Sequence, residues 1–193
     1  METISNHKPK IVVIGSCNTD MVVKANRLPV PGETILGGTF YMNPGGKGAN
    51  QAIAASRLGA EVTFISKIGY DLFGLQALEI YKSEKINTEF IFTDQKSPSG
   101  VALISVDSFG ENSIIVAPGA SRSLSIEDIN KAEEIIKESN IILMQLEVPI
   151  ETAEYAATIA NKYGKKVILN PAPASTLSDS FLNNVHTLSL IHI

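Results

Sequence analysis

Short apolar runs separated by polar clusters recur along the chain, and most are rich in β-branched residues. The four clearest runs are residues 11–15, 62–65, 141–146 and 167–169. Runs of this length without polar alternation are typical of strands buried on both faces of a parallel sheet. The intervening stretches predict helices over residues 49–58, 75–83, 125–138 and 150–163. This alternation of strand and helix predicts an α/β fold.

Helix boundaries are also marked in the sequence. Gly59 and Gly164 follow predicted helices and are typical C-terminal stops. Ser125 is expected to be an N-cap, with Asp128 in the position of a capping-box acid. Pro149 is expected at the first helical position of the last long helix, where its missing N–H costs nothing.

A stretch of short strands separated by turn residues interrupts the α/β pattern. Short strands over 101–106 and 112–116 flank a turn at 107–110, which predicts an antiparallel hairpin. Antiparallel pairs fit poorly into a parallel sheet, so we expect a separate small sheet. Its strands would be inserted at about 21–42 and 99–117, and such a sheet is suited to act as a lid over a site.

A glycine-rich stretch precedes the first predicted helix. It reads Asn43-Pro44-Gly45-Gly46-Lys47-Gly48-Ala49-Asn50-Gln51-Ala52. Glycine allows backbone to approach a ligand closely, and a helix N-terminus presents unpaired N–H groups with a partial positive charge. The stretch therefore predicts a site for an oxygen-rich ligand. The alternative is a glycine turn that serves packing only.

Two phosphate-binding loops are excluded at this stretch. A Walker A loop needs Ser or Thr after its lysine, but Gly48 follows Lys47. In a dinucleotide-binding fingerprint that starts at Gly46, the third glycine would stand at position 51, which is Gln51. The glycines therefore point to a different kind of ligand site.

Polar side chains follow the predicted strands, at the point where each strand ends. They are Asn18, Asp20, Glu147 and Asn170. Because the carboxyl ends of parallel strands meet at one edge of a sheet, we expect them to lie near Lys47 and Asn50. Carboxylates accept hydrogen bonds from neighbouring hydroxyls, and carboxamides donate and accept. The set predicts a polyhydroxylated ligand, although each residue taken singly can be a turn former.

Composition narrows the class of protein further. The 193 residues are 44% hydrophobic with a net charge of −4, which fits a globular domain and excludes a basic footprint for nucleic acid. No apolar run is long enough for a bilayer, and the N-terminus lacks a signal-peptide core, so no membrane partner is expected. The single cysteine, Cys17, fits a reducing compartment, and we expect a cytoplasmic protein.

Other candidate residues carry less chemistry. Cys17 is expected to be a small packed residue, since no histidine stands near it in sequence. His7, His186 and His192 lack the spacing of metal ligands. Asp71 is expected to stabilise its loop.

The glycine-rich stretch, followed by Gly59 and Gly69, is similar to the first signature of the ribokinase-like (PfkB) carbohydrate kinases. Further segments resemble that family in the same order: 15–20, 31–34, 93–106, 143–147 and 170–174. The resemblance extends from Lys10 to about Val185. It implies a doubly wound, mostly parallel α/β sheet flanked by helices, with a small β-sheet lid that also forms the contact of a homodimer.

The resemblance also implies an activity and a site. The activity is ATP-dependent phosphorylation of D-ribose to D-ribose 5-phosphate, with Mg²⁺ and an activating K⁺. Carried over residue by residue, the sugar site would use Asn18, Thr19, Asp20, Gly46, Lys47, Gly48, Ala49, Asn50 and Glu147. Asp20 would accept hydrogen bonds from ribose hydroxyls, and Lys47 and Asn50 would donate to sugar oxygens.

The chain departs from the family pattern near its end. Residues 186–193 stand where an acidic Asn-Glu motif is expected, and no Gly-Ala-Gly-Asp segment occurs. We therefore expect an N-terminal part of such a kinase, with the aspartate base beyond Ile193 and no catalytic residue within the chain. The alternatives are a catalytically incomplete sugar-binding fragment, a kinase of the fructokinase or adenosine kinase type, and a fold that is incomplete alone.

Overall fold

The structure is a computed structural model that describes residues 8–191. The strands are Lys10–Ile14 (β1), Asn18–Lys24 (β2), Thr39–Gly45 (β3), Glu61–Gly69 (β4), Ile91–Asp94 (β5), Gly100–Val106 (β6), Asn112–Ala117 (β7), Ile141–Gln145 (β8), Lys166–Asn170 (β9) and Thr187–Leu188 (β10). The helices are Lys47–Arg57 (α1), Leu72–Ser83 (α2), Ile126–Lys131 (α3), Glu133–Glu138 (α4), Ile150–Lys162 (α5) and Asp179–Leu182 (α6), with a 3-10 helix at Gly119–Ser123.

Six strands form the main sheet in the order β10-β9-β8-β1-β4-β5, and every neighbouring pair is parallel. Strand alternation sends Val12 and Ile14 of β1 into one core and Val13 into the other. Helices α3 to α6 contribute to the first core, and α1 and α2 contribute to the second. The predicted α/β fold with helices on both sides of a parallel sheet is confirmed.

The remaining four strands form a small mixed sheet in the order β3-β2-β6-β7. β2 pairs in parallel with β6, while the β2–β3 and β6–β7 pairs are antiparallel. Only residues 15–17 separate β1 of the main sheet from β2 of the small one. The carboxyl end of β1 is therefore the point where the two sheets meet.

Local structure agrees with the predicted boundaries in part. Ser125 and Asp128 form the predicted capping box at the start of α3. The single helix predicted over 125–138 is wrong, because the Ala132 N–H bonds to the Ile129 carbonyl three residues back and interrupts the α-helical ladder. Pro149 caps α5 with ψ 133° and lies one residue before the expected position.

No helix within residues 8–191 is both long enough and apolar enough to cross a bilayer.

Candidate functional site

A cavity of about 400 Å³ lies where the two sheets meet. It is lined by Ser16, Asn18, Lys47, Val116, Pro118, Arg122, Leu146, Glu147 and Pro173. β1 and β8 are adjacent parallel strands, so their carboxyl ends deliver Ser16 and Glu147 to the same place. The start of α1 adds Lys47, and the small sheet forms the opposite wall.

Glu147 is the most connected side chain of the cavity. Its Oε2 accepts hydrogen bonds from the Ser16 hydroxyl and from the backbone N–H of Lys47, the latter at 2.9 Å. Its Oε1 accepts from the Lys47 ammonium at 2.6 Å. Burial raises the pKa of Glu147, but these hydrogen bonds outweigh burial and bring it below its ordinary value. Glu147 is therefore a paired carboxylate at neutral pH.

The start of α1 is not an open cradle of N–H groups. The N–H of Lys47 bonds to Glu147, that of Gly48 to the Ser16 hydroxyl at 3.5 Å, and that of Ala49 to the Ser16 carbonyl at 3.0 Å. The expectation that these N–H groups are free for a ligand is wrong. Gly46, the N-cap, has no side chain, so Glu147 supplies a cap from 100 positions away.

The glycines of the stretch allow α1 to lie directly on the end of β1. A Cβ at Gly48 would stand 2.6 Å from the backbone of Gly15 and Ser16. Gly46 adopts φ 90°, a conformation that favours glycine. Gly48 and Ala49 are buried in this contact. The structure thus supports a packing role for Gly48, and contact of these residues with a ligand stays a prediction.

Asp20 projects from β2 close to the same cluster. Its carboxylate packs against Gly45 so closely that a Cβ there would collide with it. Burial raises the pKa of Asp20, the negative charge of Glu147 raises it further, and Lys47 lowers it. The surroundings of Asp20 therefore disfavour the charged form of its carboxyl group.

Asn18 and Thr19 are neighbours on β2 with different surroundings. The Asn18 side chain is 5% exposed, and within residues 8–191 its Oδ1 has no hydrogen-bond partner. This oxygen is itself buried and lies against Gly100, and a buried acceptor left unpaired costs about 1–3 kcal/mol. Strand alternation turns Thr19 to the face opposite Asp20, beside a cavity of about 50 Å³ near Pro44 and Phe73.

Two predicted carboxamides lie outside the large cavity. Asn50 is exposed on α1, one turn beyond the cluster, and does not line the cavity. The Asn170 amide donates to the Ser189 carbonyl at 2.8 Å, at the edge of the sheet next to β10. Asn170 therefore has a local structural role, which was the alternative to a role in ligand binding.

Sequence reasoning missed several residues of the cavity. Ser16 directly follows β1, and the rule that selected Asn18 and Glu147 applies to it equally. Arg122 comes from the 3-10 helix after β7, and nothing in its local sequence marks it. Gln145, at the end of β8, does not line the cavity: it is fully buried, its amide donates to Gln51, and within residues 8–191 its Oε1 has no hydrogen-bond partner.

Two other candidates have structural roles, as expected. Asp71 caps α2 through the Gly74 N–H at 2.9 Å and accepts from both the backbone and the hydroxyl of Ser99. The Cys17 thiol is buried 2.9 Å from the Tyr81 hydroxyl, and burial raises the pKa of this thiol to about 11. Cys17 is therefore a packed residue and not a nucleophile.

The histidines and carboxylates form no metal site in the part of the chain that is described. His186 Nδ1 accepts from the Val167 N–H at 3.2 Å, while His7 and His192 lie outside the described residues. No group of three or more His, Cys, Asp or Glu within residues 8–191 is arranged to hold a metal ion. The Mg²⁺ and K⁺ that the resemblance implies stay predictions for the full kinase.

Comparison with known proteins adds independent information. The model of the pfkB family carbohydrate kinases matches residues 8–191. The chain is 44% identical over 179 residues to ribokinase of Haemophilus influenzae. The matched region covers 93% of this chain and 58% of that protein. It is 42% identical over 164 residues to deoxyribokinase of Salmonella typhi, and this match covers 85% of this chain and 54% of that protein. The chain thus spans little more than half the length of these relatives.

A solved structure agrees with the fold. The structure of Arabidopsis thaliana ribokinase complexed with ribose and ATP matches with a TM-score of 0.83 at 31% identity. The match covers 95% of this chain and 60% of that one.

Proposed function

Because the chain belongs to the pfkB family of carbohydrate kinases, we propose that its protein phosphorylates D-ribose at the 5-hydroxyl with ATP as the phosphoryl donor. One observation carries the choice of a sugar. A single cavity brings together the Lys47 ammonium, the Glu147 carboxylate and the Asn18 side chain. ATP and ribose are both named for a structurally similar relative.

The chemistry of the cavity suits a pentose. Its carboxylate and carboxamide accept from hydroxyls, and its ammonium donates to sugar oxygens. Val116, Pro118 and Leu146 offer an apolar wall for the carbon skeleton. A site with buried polar groups disfavours analogues that lack a hydroxyl, because its own groups then stay unpaired. The cavity therefore selects for hydroxyl number as well as for size.

The proposed sugar site includes all the residues that the resemblance implies, but the geometry supports some of them more strongly than others. Asn18, Lys47 and Glu147 line the cavity, and Asp20 stands beside them. Gly46, Gly48 and Ala49 hold α1 close to it. Thr19 and Asn50 are the least supported members, since neither side chain lines the cavity.

The small sheet is proposed to close over the sugar as a lid. Val116 and Pro118, at and after the end of β7, already border the cavity. Phosphoryl transfer depends on positioning and on exclusion of water, and a closing sheet would supply both. The strands inserted near 21–42 and 99–117 would thus form the lid. The remainder of the nucleotide and catalytic site is proposed to belong to the full kinase.

Cofactors and location are proposed from the resemblance. ATP is the co-substrate, Mg²⁺ and K⁺ are activating ions, and the protein is cytoplasmic. We assign no step to either ion, because the described residues form no cluster for a metal.

A sugar panel tests the proposal. Calorimetry on the chain, and a coupled kinase assay on the full-length protein, would compare D-ribose with 2-deoxy-D-ribose, fructose and adenosine. We expect ribose to bind about tenfold or more tightly than 2-deoxyribose, since one missing hydroxyl leaves a buried group unpaired. Comparison of D-ribose with 2-deoxy-D-ribose is the most informative, because one relative of similar identity is a deoxyribokinase. Preference for another sugar would overturn the choice of ribose, and failure to bind any would overturn the site.

We also propose a homodimer formed through the small sheet. Phe40, Leu103 and Ile115 share one face of it by register, and they are 59%, 53% and 69% exposed. An exposed apolar sheet face of this kind marks an association surface. A second copy presents the same face, so the contact can be self-complementary.

The dimer predicts a clear result in sedimentation equilibrium. Ile115→Lys should convert a dimer into a monomer, because it places a charge in the centre of the contact. Leu58→Lys is the control, since Leu58 is 89% exposed at the C-terminal end of α1 and lies outside the small sheet. A monomeric parent chain, or an Ile115→Lys variant that stays dimeric, would contradict the proposal.

A further inference from the structure

We propose that Ser16 is a positioning residue of the sugar site, whose hydroxyl holds the Glu147 carboxylate in the orientation that keeps Lys47 at the cavity. The inference rests on the proposed function, because it assigns a role within that same site. It concerns a residue that belongs to the segment 15–20 of the resemblance, which gives it no role of its own.

Ser16 is enclosed by the elements it connects. The residue is 1% exposed and directly follows β1 and Gly15. Its hydroxyl donates to Glu147 Oε2 and receives the Gly48 N–H at 3.5 Å. Its carbonyl accepts from the Ala49 N–H at 3.0 Å. A serine hydroxyl has one proton to donate, and here it is committed to Glu147.

The two oxygens of Glu147 have separate tasks. Oε2 is held at the start of α1 by the Ser16 hydroxyl and the Lys47 N–H. This leaves Oε1 directed at the Lys47 ammonium, 2.6 Å away. The Lys47 side chain is 41% exposed, so it has room to leave the cavity when Oε1 does not hold it. Without the Ser16 hydroxyl, only one backbone donor would fix Oε2, and the carboxylate could rotate.

A purely structural role for Ser16 needs a matched control. Ser139 is 2% exposed and its hydroxyl donates to the Ile136 carbonyl at 2.8 Å, near the amino end of β8. Ser16→Ala and Ser139→Ala each delete one buried hydroxyl with the hydrogen bond that it donates, and Ser16→Ala also removes the long contact from the Gly48 N–H. Both should lower stability to a similar degree. Only Ser16→Ala should act on the sugar site.

A double-mutant cycle on the chain tests the coupling. Calorimetry with D-ribose would compare Ser16→Ala, Glu147→Gln and the double variant. We expect Ser16→Ala to raise Kd about tenfold, the size of one hydrogen bond to a charged group, and Ser139→Ala to leave Kd unchanged. The double variant should resemble Glu147→Gln, because Ser16 acts through Glu147. Additive losses, or an unchanged Kd in Ser16→Ala, would overturn the proposal.

A second measurement needs no sugar. The amide resonance of Lys47 in ¹⁵N-labelled protein should follow the ionisation of Glu147, to which that amide donates. Lys47, Asp20 and Arg122 are the other charged groups around this carboxylate. Ser16→Ala removes a donor to the charged form, so the pKa of Glu147 should rise and the midpoint should move to higher pH. Ser139→Ala should leave the midpoint in place.

The two measurements separate the two ideas. If the parent chain binds no ribose, the proposed function fails, and the amide titration still decides the role of Ser16. A midpoint that is the same in Ser16→Ala and in the parent chain would overturn the positioning role, whatever the sugar results.

Discussion

Gly48→Ala is expected to destabilise the chain by about 3 kcal/mol or more, although alanine is the better helix former. Helix propensity alone predicts a gain of about 1 kcal/mol at a position inside α1. The new Cβ, however, would lie 2.6–2.7 Å from backbone atoms of Gly15 and Ser16. Backbone cannot rotate away as a side chain can, so overpacking should dominate. Urea unfolding of the two proteins gives the difference in free energy of unfolding.

Gly59→Ala is the matched control for this prediction. Gly59 follows α1 with φ 97°, and a Cβ there would meet no atom of residues 8–191 within 4 Å. Its replacement should cost about 1 kcal/mol, from backbone strain alone. A Gly48→Ala variant that is as stable as the parent chain would show that α1 does not pack on the end of β1 as described.

Asp20→Asn is expected to have opposite effects on stability and on binding. Burial and Glu147 raise the pKa of Asp20 in the folded chain. An acid with a raised native pKa destabilises the fold above that pKa, and the fold gains stability as pH falls through it. Asparagine removes this cost, so the melting temperature at pH 7.5 should rise and its dependence on acid pH should weaken.

The same substitution should lower affinity for D-ribose about hundredfold. The carboxylate offers two acceptors to sugar hydroxyls, whereas the carboxamide offers one acceptor and one donor. A hundredfold loss is about 2.7 kcal/mol, within the range for hydrogen bonds to a charged group. Calorimetry and thermal unfolding on one preparation give both numbers.

Asp71→Asn is the matched control. Burial raises the pKa of Asp71, but hydrogen bonds from Gly74 and Ser99 outweigh burial and lower it. This variant should lose stability and keep its affinity for ribose, the reverse of Asp20→Asn. Ribose affinity that survives in Asp20→Asn would remove Asp20 from the site, and a lower melting temperature would contradict the electrostatic argument.

Short-range patterns in the sequence predicted much of the fold. The β-branched runs correspond to β1, β4, β8 and β9, and Ser125 caps α3 as its spacing to Asp128 indicates. Glu147 was selected because parallel strands end at one edge, and it does line the cavity. These features depend on local periodicity or on a general property of parallel sheets.

Other features depend on contacts between distant residues. Sequence alone predicts unpaired N–H groups at the start of α1. In the structure they donate to Glu147, 100 positions away along the chain, and to Ser16, about 30 positions away. Arg122 reaches the cavity only because β7 ends beside it. Thr19 turns away from the cavity because it alternates with Asp20. Register and long-range capping are set by the tertiary fold, and local patterns do not encode them.

The central claim is that strand ends, the start of α1 and the small sheet together form one pocket for a pentose. A crystal structure of the chain with D-ribose tests it most directly. We predict one ribose in the cavity of about 400 Å³, with its hydroxyls within hydrogen-bond distance of the Asn18 carboxamide, Lys47 Nζ and the Glu147 carboxylate. Ribose bound elsewhere, or an empty cavity at a concentration that saturates the chain in solution, would contradict the claim.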